Sequence, residues 1–341
     1  MVRRCTFCLT NSKSLLYSMT MMQQAKLIAT MSCPECQTLC QRFGKHRNGL
    51  RRFRCPKCKK TYTEHHQKPL GSMTVPMDKA LLALQLLIEG TSVRSTERIT
   101  GLHRDTILRV LVAAGEKCEA LMGRLIVNIP VKDIQLDEAW GFVGKKEKAL
   151  EPGDDPSFGD AYTFVAIERR TKLVLNFALG KRNQATTDIF IEGLRVATAS
   201  QNFQVTADGF APYVSALDNT LSDRVDFAQL IKVYRATPEG ERRYSPAEVV
   251  STEVVPVLGN PDPNRICTSH IERQNLTMRM QIKRLARLTL CFSKKWENLW
   301  AALCLHFAYY NFCRVHRTIR VTPAMEAKIT NRVWHLGELL A

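Results

Sequence analysis

No apolar run in the chain comes near the ~20 residues that a bilayer-spanning helix needs. Leu15-Leu16-Tyr17 is too short for the apolar core of a secretory signal. A reducing compartment is therefore expected, and there the twelve cysteines read as metal ligands before disulfides. Acid is scarce where base is dense. Residues 1–70 hold 14 Lys/Arg against two Asp/Glu, and residues 270–320 hold ten against two. The net charge of +17 over 341 residues is thus concentrated in blocks, which favours two phosphate-contacting surfaces over a protein merely kept soluble by charge. At 45% hydrophobic and 24% charged, the chain is globular and long enough for two or three domains.

Residues 1–30 carry little apolar periodicity and read as a disordered leader; Cys5-x2-Cys8 leaves a second metal site as the alternative. Residues 31–68 form a zinc-binding module. Cys33-Pro-Glu-Cys36 and Cys55-Pro-Lys-Cys58, eighteen residues apart, have four-thiolate zinc spacing. So short a segment buries too little core to fold alone, so Zn²⁺ would supply the stability. Cys40 is a bystander or a replacement ligand. Between the pairs, Arg42, Lys45, His46, Arg47, Arg51, Arg52 and Arg54 are interleaved with Phe43 and Phe53 as a basic ribbon for phosphates, with a merely solvated charged loop as the alternative.

Residues 74–125 read as a helix-turn-helix domain. A helix from Met77 to Glu89 stops at Gly90, a short one runs from Ser92 to Ile99, and Thr100-Gly101-Leu102 turns into a third helix near His103. His103, Arg104, Thr106 and Arg109 would then lie at the groove-facing start of the recognition helix; plain helical packing without DNA contact is the alternative. From residue 130 the period changes. Strands are expected at Ile134 to Val143, Tyr162 to Ile167, Leu173 to Leu179, Phe203 to Ala207 and Phe227 to Tyr234, with a helix at Thr186 to Thr198. This order fits a mixed α/β sheet. Residues 236–266, with several prolines, read as an insertion or loop, and residues 293–314 as a helix with the apolar stripe Trp296, Leu299, Trp300, Leu303, Phe307 and Tyr310.

Thr268 to Arg287 reads as one helix. Ile271, Met278, Ile282 and Leu285 recur at about helical spacing, no Gly or Pro interrupts, and Ser269 with Glu272 fits a capping box. Behind Glu272 the helix is basic: Arg273, Arg279, Lys283, Arg284 and Arg287. Asp137 lies in the first α/β strand. Asp208 ends another, where such folds place their sites. Cleaving and joining phosphodiesters needs an activated oxygen nucleophile and stabilised phosphate charge, which a pair of Mg²⁺ (or Mn²⁺) ions on converging carboxylates supplies. Asp137, Asp208 and Glu272 are the expected catalytic set. Glu138, on the strand face of Ile134, Leu136 and Trp140, competes with Asp137; Glu248 and Glu253 compete with Glu272.

The cysteine module with Arg52-Phe53-Arg54, the run Leu136-Asp-Glu-Ala-Trp-Gly-Phe-Val-Gly-Lys145, Ala207-Asp-Gly-Phe-Ala-Pro-Tyr213, and above all Glu272-Arg-Gln-Asn-Leu276 with Arg284-Leu-Ala-Arg-Leu-Thr-Leu-Cys-Phe-Ser-Lys294 carry a resemblance. Over about residues 32–335 the chain resembles the bacterial insertion-sequence transposases of the insertion sequence 1 type. The resemblance implies a multidomain protein: zinc ribbon-like module, helix-turn-helix domain, and an RNase H-like DDE catalytic domain with C-terminal helices over residues 130–341. It implies that the acid triad falls on Asp137, Asp208 and Glu272, with Asn275 and Arg279 contacting element termini beside the basic Arg273 and Lys283. The implied activity is a DNA transposase that binds terminal inverted repeats, cleaves at element ends and joins the 3′-hydroxyl to target DNA. It would work as a homodimer or higher homo-oligomer on double-stranded DNA, in the bacterial cytoplasm at the nucleoid, with no membrane partner. The alternative is a zinc and helix-turn-helix DNA-binding regulator, or a decayed transposase that binds without cutting.

Overall fold

The computed structural model describes residues 31–45, 51–63, 70, 73–234 and 249–340. The expected leader, His46, Arg47 and Glu248 lie outside the described residues. The described residues fall into two compact units, divided between Lys68 and Pro69.

In the first unit, β1 (Gln41–Lys45), β2 (Arg51–Arg54) and β3 (Thr61–Thr63) make an antiparallel sheet in that order. Phe53 points inward and is buried with Cys33, Cys40 and Cys55, while Arg52 and Arg54 lie on the opposite face of the strand. The two-residue side-chain period of a strand separates core from basic surface here. The Arg52 and Arg54 guanidiniums lie over the exposed Phe43 ring, 5.5 and 5.2 Å from its centroid.

The second unit opens with α1 (Met77–Ile88), α2 (Val93–Thr100) and α3 (Arg104–Leu125). Their ends follow the sequence punctuation. Ser92 Oγ accepts from the Ser95 amide at 3.1 Å, Gly101 takes a left-handed φ of 69°, and His103 Nδ1 accepts from the Asp105 amide at 3.3 Å.

The sheet comprises β4 (Asp133–Val143), β5 (Gly159–Glu168), β6 (Val174–Gly180), β7 (Phe203–Ala207), β8 (Val225–Tyr234) and β9 (Val249–Leu258), in the order β6-β5-β4-β7-β8-β9. The pairs β4–β5, β5–β6 and β8–β9 are antiparallel; β4–β7 and β7–β8 are parallel. α4 (Gln184–Ala197) and α5 (Pro212–Leu221) make the crossovers around β7. α6 (Ser269–Gln281), α7 (Trp296–Phe312) and the short α8 (Pro323–Glu326) follow.

The α1–α3 segment and the sheet share one core. The boundary expected between residues 125 and 130 therefore falls inside a compact unit. The cause is local: α3 packs along α7, and a Cβ on Gly115 would lie 2.5 Å from Ala301 Cα, so glycine permits the close approach.

Four expectations need correction. The segment expected as a loop contains β9, an edge strand that tolerates Pro256 because an edge need not donate every backbone hydrogen bond. The helix expected to reach Arg287 ends at Gln281; Ile282 turns extended, which buries Ile282 and Leu285 in the core. The capping box does not form. The amides of His270 and Ile271 are instead bonded by Gln135 Oε1 from β4, each at 3.0 Å. Finally, α7 has no single apolar stripe, because Ala301, Leu303, Cys304, Leu305, His306 and Phe307 are buried around its whole circumference.

Candidate functional site

The parallel register pairs β4 with β7 at Asp133↔Gln204, Ile134↔Val205 and Gln135↔Thr206. Carried two residues further, it brings Asp137 beside Asp208, the first residue after β7. One carboxylate oxygen each from Asp137, Glu138 and Asp208 lie within 4.8 Å of one another. Such an all-oxygen cluster could hold a divalent cation.

Each acid is oriented. Asp137 Oδ1 accepts from the Glu138 amide at 2.9 Å, and Oδ2 accepts from Asn275 Nδ2 on α6 at 2.7 Å. Asp208 Oδ1 accepts from the Phe210 amide at 3.1 Å. Glu138 Oε2 accepts from Arg182 Nε at 3.1 Å, and its side chain is only 3% exposed. The Tyr213 hydroxyl is fully buried beside the Glu138 carboxylate and engages it. Burial and then the Asp208 charge push Asp137 up to about 6; burial pushes Glu138 up to about 7. A cation would relieve both, so these residues fit a metal.

Glu272 lies outside this 4.8 Å grouping. It lies in the first turn of α6, ion-paired with Lys232 of β8 and accepting from Thr268 Oγ1 at 2.6 Å. Burial works against its ionisation, but Lys232 and Thr268 outweigh that and hold it below the ordinary value. Its charge still reaches Asp137. Asp137 and Asp208 are thus grouped with Glu138 within 4.8 Å, while Glu272 lies outside that grouping, held by Lys232 yet near enough for its charge to raise Asp137. Glu253 is exposed on edge strand β9.

Sequence reasoning missed Arg182. It follows β6 with no distinguishing pattern, yet its guanidinium bonds Glu138, lies 3.8 Å from Asp208 and stacks 4.0 Å above the centre of Phe210. Of the expected DNA contacts in the second unit, His103, Arg104, Arg109, Arg273 and Lys283 are exposed and Thr106 is half-buried. Asn275 and Arg279 face inward: Asn275 holds Asp137, and Arg279 Nη1 donates to the Leu285 carbonyl at 3.3 Å.

In the first unit, one sulfur each from Cys33, Cys36, Cys55 and Cys58 lie within 4.8 Å of one another. The Cys33–Cys58 separation is 3.7 Å, close to the ~3.8 Å edge of a tetrahedron built on ~2.3 Å Zn–S bonds. The Cys36 and Cys58 amides point at the sulfurs of Cys33 and Cys55, at 3.4 and 3.5 Å. This cluster could hold a metal; Cys40 is not part of it.

Residues 263–308 match the family model described as IS1 transposase. The segment spans α6 and most of α7, and the match supports a transposase of that kind. Among solved structures, the chain is similar to the cryo-EM structure of the piggyBac transposase synaptic complex with hairpin DNA, at 10% identity and TM-score 0.38, covering 79% of this chain and 72% of that one. No curated protein matches the sequence. Among the described residues, no helix is long and apolar enough to cross a membrane.

Proposed function

We propose that the chain is a DNA transposase that cleaves at element ends and joins the freed 3′-hydroxyl to target DNA. The observation that carries this is the acid cluster: Asp137 and Asp208 meet through the β4–β7 register, with Glu138 beside them, in a chain whose 263–308 segment matches the IS1 transposase family. The strand order, three antiparallel strands followed by two parallel ones, supports an RNase H-like catalytic domain.

Asp137 and Asp208 would hold Mg²⁺ or Mn²⁺, with Glu138 or Glu272 as the third carboxylate. When bound, the ions supply activation of the attacking oxygen and stabilisation of charge on the phosphate. Asn275 fixes the rotamer of Asp137, and the Phe210 amide fixes that of Asp208. Arg182 offsets the mutual repulsion of Glu138 and Asp208 before a cation arrives. The first unit would hold Zn²⁺ on its four thiolates and offer Arg51, Arg52 and Arg54 to phosphates. The exposed start of α3, with His103, Arg104, Thr106 and Arg109, would read the terminal repeats, and Arg273 and Lys283 extend the basic surface. Two ends must be held together, so a dimer or higher oligomer forms on DNA.

One observation favours a second reading. The Glu272 carboxylate is already satisfied by Lys232, which suits a protein that binds ends without cutting them. The test incubates purified full chain and Mg²⁺ with short duplexes carrying the inverted repeats that flank its gene. Nicked ends and joined products support the transposase; end binding with neither product, in Mg²⁺ and in Mn²⁺, supports the non-catalytic reading.

A further inference from the structure

Away from the acid cluster, a cleft of about 830 Å³ lies between the α1–α3 segment and the chain that follows α6. That volume is within the ~300–1,000 Å³ of small-molecule sites. Arg94, Arg104, Lys283, Arg284 and Lys294 line it, against the single carboxylate of Asp105. Asp105 is exposed and faces His103 at 3.4 Å.

Two polar atoms beneath the cleft lining lack partners among the described residues. Arg284 is half-buried as a residue, but its Nη2 is shut away from solvent and has no hydrogen bond among the described residues; Nη1 donates to Ser293 Oγ at 3.2 Å. His306 is 2% exposed, and its Nε2 is likewise unpartnered. Burial pulls Arg284 down to about 10, opposed only by the Cys291 thiol; burial and the Arg314 charge hold His306 down at about 3, so it is neutral. An unpaired buried guanidinium is costly, and a bound anion offsets that cost. One lip of the cleft is apolar. Leu290 is 93% exposed, and Phe292 lines the wall behind it. Exposed cations at the mouth and the buried apolar side chains of Ile88, Leu111, Ile282 and Leu305 deeper in together suit a nucleotide better than a bare anion.

We propose that this cleft takes one nucleotide of a DNA strand, its phosphate drawn to Arg284 and the surrounding cations Arg94, Arg104, Lys283 and Lys294. The source of the nucleotide rests on the transposase reading; the chemistry of the cleft does not. Cys291, half-buried in the cleft wall, reports occupancy. In the full chain, the rate of Cys291 alkylation is followed by peptide mass spectrometry with thymidine 5′-monophosphate, thymidine or inorganic phosphate as probe. At ten times its Kd the monophosphate should slow labelling about tenfold. Thymidine should protect far less, and inorganic phosphate should weaken the monophosphate's protection by competition. Arg284→Leu should abolish protection and Arg284→Lys retain part of it. Equal labelling with and without the monophosphate at millimolar concentration, or protection by thymidine alone equal to that by the monophosphate, overturns the proposal without needing any variant to fold. Duplex binding is measured in parallel by fluorescence anisotropy. Duplex binding without monophosphate protection overturns the cleft and spares the DNA reading. Protection without duplex binding supports the cleft as a nucleotide site and counts against the DNA reading.

Discussion

Asp137 and Asp208 are 71 residues apart in sequence, and 71 is also the offset of the parallel register that joins β4 to β7. Their proximity follows from strand pairing and needs no loop to arrange it. Asp208→Asn should therefore lower the pKa of Asp137, because the Asp208 charge is the second cause, after burial, of its rise to about 6. Carboxyl-carbon NMR of Asp137 in metal-free protein measures this. An unmoved titration would show that the Asp208 charge does not contribute to the rise.

Glu138 offers a stability test whose sign is fixed. Its carboxyl titrates near 4.5 in an unfolded chain and at about 7 in the fold, so between those values the native state binds more protons than the unfolded state. Stability from this group is full below about pH 4.5 and is lost as pH rises through about 7. The loss is on the order of 3 kcal/mol at most. Glu138→Gln has no carboxyl to ionise, so its melting temperature in EDTA should fall less than wild type between pH 5 and 8. Parallel pH profiles for the two proteins would contradict this.

The third acid separates by assay. Glu272→Gln should leave folding and end binding intact while nearly abolishing cleavage and strand transfer, since an amide oxygen is a poor Mg²⁺ ligand. If Glu272 serves only as the partner of Lys232 and Thr268, the variant joins DNA at a near-normal rate. In that case Glu138→Gln is the variant that loses activity.

Metal analysis of the full chain should find about one Zn²⁺ per molecule, lost in Cys55→Ser and retained in Cys40→Ser. Zinc content unchanged in Cys55→Ser would dissociate the four thiolates from metal binding.

Two glycines of α3 should respond with opposite signs. Gly115→Ala forces a methyl onto Ala301 and should cost about 1–3 kcal/mol. Gly123 has open space around it, so Gly123→Ala should stabilise by about 0.5–1 kcal/mol through helix propensity. Urea unfolding of both variants measures the contrast. A stabilised Gly115→Ala would mean that α3 and α7 are not held at this distance.

Local chemistry alone determined much of this protein. Cysteine spacing announced the four-cysteine cluster. Ser92, Gly101 and His103 punctuated the three N-terminal helices, because capping acts within a few residues. Alternating and continuous apolar runs located five of the six sheet strands, and the turn after Ala207 placed Asp208 at a strand end. Tertiary structure decided the rest, because the partners are distant in sequence. The α6 cap comes from Gln135 in place of Ser269, so α6 docks on β4 and delivers Asn275 to Asp137. β9 became a strand because β8 had a free edge on which Pro256 is tolerated. Arg182 reached Glu138 from 44 residues away, and Lys232 engaged Glu272 across 40. Periodicity reports which face of an element is apolar. It carries no information about which charged group from another element will meet that face, and the carboxylates of this site are apportioned by those meetings.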